Sequence, residues 1–447
     1  MKKLKSTLKI FFVVSLFSLT FSQSWAPIGG GTGWGNTVAV YNGELYAGGV
    51  YGIMKFNGAN WEYVGGNTTG EVKALVVYQN KLIVGGSFVD VGNLGTPYLA
   101  SWDGSAWNDL GGTTNSLVQS LAVWNNKLII AGYFTQCENL PANHIVQYDG
   151  NNFSVLGTGT GGSQGQVMAV ISYGNDLIAG GFFSTAGGIS VNRIAKWDGS
   201  SWSTLGSGIG GIVYSLGVHN GNLIAGGLFS SAGGGSANGI ASWNGSAWSA
   251  LGSGCGGGFY PYVHEVLSHN GYLYSGGYYT IAGGQTCNGI AKWDGNNWSP
   301  LGSGFWNGGA NVFGAAGLCV FNNELVATGM FTTAGGVGAV NIAKWNGLLT
   351  GVNNNNGNIP DRFSLSQNYP NPFNPSTKIN FSIPKSDFVK LNVYDGTGKK
   401  VSEIVNKNLD AGNYSYTFNA SGLSSGVYYY TIKTNEFAET KKMMLIK

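Results

Sequence analysis

The stretch IAKWDGSSWSTLGSG at residues 194–208 returns as IAKWDGNNWSPLGSG at 290–304, and IAKWNG opens it a third time at 342 before breaking off. Aligned on the run L-I-A-G-G, seven copies begin at Leu45, Leu82, Leu128, Leu177, Leu223, Leu273 and Leu325, at spacings of 37, 46, 49, 46, 50 and 52 residues. Repetition at this period belongs to chains whose units cannot bury their own faces and must stack on their neighbours. One copy carries the pattern of four strands. Residues 213–221, VYSLGVHNG, alternate and end in Asn-Gly, a pair suited to the positive φ angles of a two-residue hairpin. NLIAGGLFS returns, a looser loop SAGGGSAN follows, and GIASWNG turns through a second Asn-Gly corner into AWSALGSG.

The fourth strand, of the form W-x-x-L-G, follows copies one to six at Trp61, Trp107, Phe153, Trp202, Trp248 and Trp298, while the seventh copy ends at Gly347 without one. A spare WAPIGG stands at 25–30, ahead of the first copy. The count predicts that this N-terminal strand pairs near Ile342–Trp345 and completes the last unit, which closes a ring and removes two open sheet edges. The expected fold is all-β: a seven-bladed β-propeller over residues 23–347, closed by its N-terminal strand, then a small C-terminal β-sandwich.

Glycine supplies 76 of 447 residues without the every-third spacing of collagen, and an aromatic content of 13% sets the chain apart from a disordered one. The net charge of +3 is small and dispersed, so neither a nucleic-acid nor a membrane-surface partner is expected. Lys2, Lys3, Lys5 and Lys9 precede an apolar segment at 10–21, and small residues at Thr20 and Ser22 complete a signal peptide over 1–22. No later stretch reads as a transmembrane segment, and the cut site lacks the Cys that lipid anchoring needs. An Asn-rich linker is expected over 348–360. Residues 361–447 are richer in Lys, with the short alternating strands of a sandwich.

The Gly-Gly doublets followed by an aromatic about sixteen residues on, as from Gly181 to Trp197, resemble kelch repeats. The fuller pattern is similar to repeats of the fungal cortical cell-polarity marker family and of many secreted bacterial propellers. That resemblance implies a fold and no activity. LSQNYPNPFNPSTKINFSIP at 365–384, with GLSSGVYYYTIK and the terminal KKMMLIK, closely resembles the type A C-terminal sorting domain of the type IX secretion system. It implies the type IX machinery as partner, passage across the outer membrane, removal of the domain, and a cell-surface or extracellular destination.

Signs of chemistry are sparse. His219 and His269 occupy a slot held elsewhere by Tyr41, Tyr78, Trp124, Tyr173 and Phe321, which reads as packing. Asp103, Asp149, Asp198 and Asp294 are replaced in sister copies by Asn57, Asn244 and Asn346; a turn accepts either residue, whereas general acid chemistry does not. Calcium, zinc, nucleophile-elbow and phosphate-loop motifs are missing, so no cofactor, metal or catalytic residue is expected. His264 and Glu265 depart from the small residues Ala74, Ser120, Ala169 and Ser215 of the sister strands. The two longest loops between copies carry Phe259, Tyr260, Tyr262, Phe305 and Trp306, either as a sugar- or peptide-recognition surface or as packing over the rim. With His264 and Glu265 these form the candidate site for a glycan or protein ligand on the long-loop face. Of Cys137, Cys255, Cys287 and Cys319, strand order brings Cys255 and Cys287 to one face of one blade, so any disulfide is expected there. The resulting expectation is an exported recognition or structural module. Its rival is a polysaccharide-active hydrolase or lyase on the same scaffold, with His264 and Glu265 as the acid–base pair.

Overall fold

The computed structural model describes residues 23–346 apart from 163 and 310–313, and residues 363–446 apart from 369, 386, 410 and 411. The expected signal peptide and linker lie outside the described residues. The chain divides into two compact units, 1–349 and 350–447.

Among the described residues of the first unit are strands and no helix, arranged as a propeller-like succession of seven four-stranded antiparallel sheets. Numbered in chain order, sheet one joins Gly35–Tyr41, Glu44–Gly49, Gly52–Phe56 and Trp61–Tyr63. Sheet six joins Tyr262–His269, Tyr272–Tyr278, Ile290–Trp293 and Trp298–Pro300. Sheet seven takes three strands from its own repeat, and its outer strand is Trp25–Pro27, with Trp25 opposite Trp345. The first strand of each sheet packs on the first strand of the next, and Ala315–Phe321 of sheet seven packs on Gly35–Tyr41 of sheet one.

The repeat residues account for this arrangement. In the fourth repeat a Cβ on Gly180 would stand 2.6 Å from Val213 of the following sheet, and one on Gly181 would stand 2.2 Å from the Gln166 carbonyl. The doublet therefore sets both how closely neighbouring sheets stack and how tightly the first two strands pair. The W-x-x-L-G strand locks its sheet to the one before it wherever it carries Trp; sheet three has Phe153 in that place, which has no N–H to give. Trp202 Nε1 donates to the Leu156 carbonyl, Trp248 to Leu205 and Trp298 to Leu251. The N-terminal strand plays both parts: Trp25 Nε1 donates to Leu301 at 2.9 Å, and the Ile28 carbonyl accepts from Trp61 at 2.9 Å. The carboxylates of the third corner are turn formers, as in Asp198, whose Oδ1 accepts the N–H groups of Ser200 and Ser201. Asn244 does the same for Ser246 and Ala247.

The second unit holds two antiparallel sheets around one core that includes Phe373, Ile379, Phe381, Leu391 and Tyr430. The SQNYPNPFNPST segment is anchored through its side chains. Buried Asn368 donates from Nδ2 to the Pro370 carbonyl and to Thr377 Oγ1, and its backbone N–H donates to Tyr430 Oη. Tyr430 in turn donates to the Ser366 carbonyl, and Asn371 Oδ1 accepts from Met444 N–H. The motif thus ties the start of this unit to its last strand.

Candidate functional site

Each first strand of the seven sheets slips register by one residue near its start; in sheet six the slip falls between Val263 and Glu265. A bulge of this kind re-aims the extra side chain. The extra residues are Asn36, Lys73, Gln119, Met168, Tyr214, His264 and Ala316, one per sheet at the same level. Some neighbours in this series meet, directly or through an adjacent side chain. Asn36 Nδ2 donates to Glu71 Oε1 at 2.8 Å and to the Val72 carbonyl at 2.9 Å. Glu71 pairs with Lys73 at 2.7 Å. The Tyr214 ring lies parallel to that of His264, 6.3 Å away. His264 Nδ1 meets the Ala316 carbonyl at 3.0 Å, so Nδ1 carries the proton and Nε2 is left as an acceptor.

A cleft of about 170 Å³ opens at this level, lined by Trp34, Asn36, Glu71, Tyr262, His264, Tyr278 and Met330, with glycine and alanine backbone at its base. Two other depressions hold about 10 and 60 Å³. The cleft lies where sheets six, seven and one meet, and on the sheet-one side it borders a connection shorter than its counterparts. In sheets two to seven the connection between second and third strands pairs with the segment arriving from the preceding sheet, as Cys255–Gly256 does with Ile281–Ala282 and Phe305–Trp306 with Thr333–Ala334. Sheet one passes from Gly49 to Gly52 through Val50 and Tyr51 alone. No hairpin covers its mouth, and Trp34 stays 51% exposed.

Burial and the Lys73 charge both lower the His264 pKa, so the ring is neutral near pH 7. Tyr262 is pushed up, first by burial and then by Tyr214 and Tyr278, and it stacks on Tyr278 at 5.8 Å. Glu265 follows the bulge, pairs with Gly276 across the strand and is not among the residues lining the cleft. Burial drives its carboxyl up to about 8 against one opposing N–H, that of Val266.

The sequence candidates separate. Tyr262 and His264 line the cleft. Phe259, Tyr260 and Trp306 are exposed on the loops. Phe305 is corrected: it is 1% exposed, stacked on Phe331 at 4.3 Å and set against Trp25, because alternate residues of a strand face opposite ways and Trp306 takes the outward side. The ion pair near this level is Glu71 with Lys73, whereas burial keeps His264 neutral and Glu265 protonated near pH 7. Trp34, Asn36, Glu71 and Tyr278 were missed, although the spacing of 37 residues in the first repeat marks the lost hairpin. Cys255 and Cys287 stand as free thiols in one core cluster, and burial raises both pKa values, that of Cys255 to about 12. Among the described residues no cluster of His, Cys, Asp and Glu is arranged to hold a metal ion.

Residues 367–447 match the family described as a secretion system C-terminal sorting domain. Residues 125–151 match a β-propeller domain of unknown function, DUF5122. No curated protein matches the chain. Among solved structures it is similar to PorZ, an essential bacterial surface component of the type-IX secretion system of Porphyromonas gingivalis, at 15% identity and a TM-score of 0.44. That match covers 94% of this chain, which spans 61% of PorZ. A protein of unknown function from Bacteroides thetaiotaomicron is similar at 11% identity and a TM-score of 0.34, over 72% of this chain and 76% of its own. The C-terminal unit carries the mark of type IX export, and the chain is directed to the cell surface or the extracellular space.

Proposed function

We propose that residues 23–347 are a closed seven-bladed propeller of kelch-like repeats that works outside the cell as a recognition module. Residues 1–22 are its signal peptide and 348–360 its linker. Residues 361–447 are a sandwich that engages the type IX machinery and is then removed. The exchange of locks through Trp25 and Ile28 supports ring closure, because one segment gives and accepts the same indole-to-carbonyl bonds that link the outer strands of sheets four, five and six to their neighbours.

The observation that carries the functional reading is the uncovered cleft at sheet one. Six connections roof the long-loop face; the seventh is absent where aromatic and polar side chains converge. Tyr262 and His264 belong to this site together with Trp34, Asn36, Glu71 and Tyr278, while Phe259, Tyr260 and Trp306 flank it on the same face. The ligand is a glycan or a protein. Screening the exported protein on glycan and protein arrays tests this: binding that is lost in Trp34→Ala supports the module, and binding that survives Trp34→Ala but is lost in Tyr260→Ala/Trp306→Ala moves the site to the loops. Turnover of a polysaccharide that disappears in Glu265→Gln, with folding intact, favours the rival enzyme instead.

A further inference from the structure

We infer that the cleft at sheet one selects an uncharged sugar ring at the end of a larger ligand, and that Lys73 sets this selectivity by neutralising Glu71. The inference rests on the recognition reading above and adds the ligand's chemistry.

Size comes first. A cleft of about 170 Å³ is smaller than the ~300–1,000 Å³ that holds a drug-sized ligand, so it takes one ring and the rest of the ligand stays outside. The chemistry of the walls narrows the ring. Trp34 offers a flat face that is half open to solvent, and stacking on such a face suits the apolar side of a sugar. Around it stand acceptors in need of donors. His264 Nε2 is a lone pair in a neutral ring whose Nδ1 is already engaged. Asn36 uses its amide N–H groups on Glu71 and Val72, which turns its Oδ1 to other partners. Hydroxyl groups supply donors of this kind.

Charge decides against the alternatives. The Glu71 carboxylate is matched by Lys73 at 2.7 Å, and His264 carries no proton on Nε2, so the site's charges cancel. A carboxylated sugar entering here meets Glu71 and two acceptors, His264 Nε2 and Asn36 Oδ1. An ammonium group finds aromatic walls, but the one carboxylate that could hold it is already paired. The repeat unit as a whole leans the same way: residues 23–347 hold eight Lys and Arg against thirteen Asp and Glu, which disfavours anionic ligands.

The test titrates the exported protein, by calorimetry or ligand-observed NMR, with methyl glycosides of neutral hexoses, with methyl glucuronide and with choline. Wild type, Trp34→Ala and Lys73→Met are compared, with near-ultraviolet circular dichroism as the check on folding. The expected result is binding of a neutral glycoside, at least tenfold weaker or absent for glucuronide and choline, and lost in Trp34→Ala. Lys73→Met, which leaves Glu71 unpaired, should weaken the glycoside and gain choline binding. Glucuronide or choline binding best in wild type, in a manner still dependent on Trp34, overturns the ligand class while the recognition site stands. A Lys73→Met variant with unchanged preference overturns the role given to Lys73. Binding independent of Trp34, or none to any probe, overturns the site itself.

Discussion

Replacing Trp25 by Ala removes the ring that completes sheet seven. Its side chain is 2% exposed, lies 4.7 Å from Phe305 and 5.3 Å from Trp345, and donates to the Leu301 carbonyl. Truncating a buried aromatic costs ~3–5 kcal/mol, and an orphaned buried carbonyl ~1–3 kcal/mol, the two overlapping rather than adding. A loss of about 4 kcal/mol is therefore expected, a large share of the ~5–15 kcal/mol that holds a typical domain together. Trp298→Ala is the matched control, since that ring is also 2% exposed and donates to Leu251 in the middle of the series. All 14 tryptophans lie at or before Trp345, so urea unfolding followed by tryptophan fluorescence reports on the first unit and is blind to the second. Trp25→Ala and Trp298→Ala should lower the midpoint alike. Trp25→Phe should cost only about 1–2 kcal/mol, as the ring stays and only the N–H is lost. A Trp25→Ala midpoint equal to wild type, beside a clear drop for Trp298→Ala, refutes the idea that the N-terminal strand closes the ring.

Glu265 makes stability depend on pH. Its folded pKa of about 8 lies above the ~4.3 of an unfolded chain, so the folded state holds a proton that the unfolded state has lost between those values. Stability should fall as pH rises from about 4.5 to 8 and level off above that; Glu265→Gln should flatten the fall, matching wild type near pH 4.5 and exceeding it by a few kcal/mol at most near pH 8. Equal pH profiles for the two proteins count against a buried carboxyl. Non-reducing peptide mapping of the exported protein should find any disulfide between Cys255 and Cys287, and a link from either to Cys137 contradicts the blade order. The intact mass of extracellular protein should place its C-terminus within or just after residues 353–360; chains ending at Lys447 contradict removal of the sorting domain.

Much of the fold was legible because its determinants are local and repeated. The Gly-Gly doublets, the Asn-Gly corners and the W-x-x-L-G strands each answer a steric or hydrogen-bonding need that recurs in every sheet, and counting outer strands points from the unfinished seventh repeat to Trp25. The site was read less well, for two physical reasons. Loop length drew attention to Phe259, Tyr260, Phe305 and Trp306, yet the cleft borders a loop that is unusually short, between Gly49 and Gly52. Strand pleat and bulge then decide which way each side chain points. Phe305 and Trp306 are adjacent aromatics, one in the core and one in solvent, and a one-residue slip brings His264 to the cleft while Glu265 is not among its lining residues. Glu71 and Lys73 look like ordinary surface charges in the sequence. Only the packing of sheet one on sheet two sets them beside Asn36.

The most direct test of the account is where a bound ligand protects the exported protein. Hydrogen exchange measured with and without a saturating neutral glycoside should show slowed exchange in peptides covering residues 32–36, 71–73 and 262–264, with residues 303–309 unchanged. Protection confined to residues 255–260 and 303–309, or spread over the opposite face of the ring, contradicts the assignment of the uncovered mouth of sheet one as the recognition site.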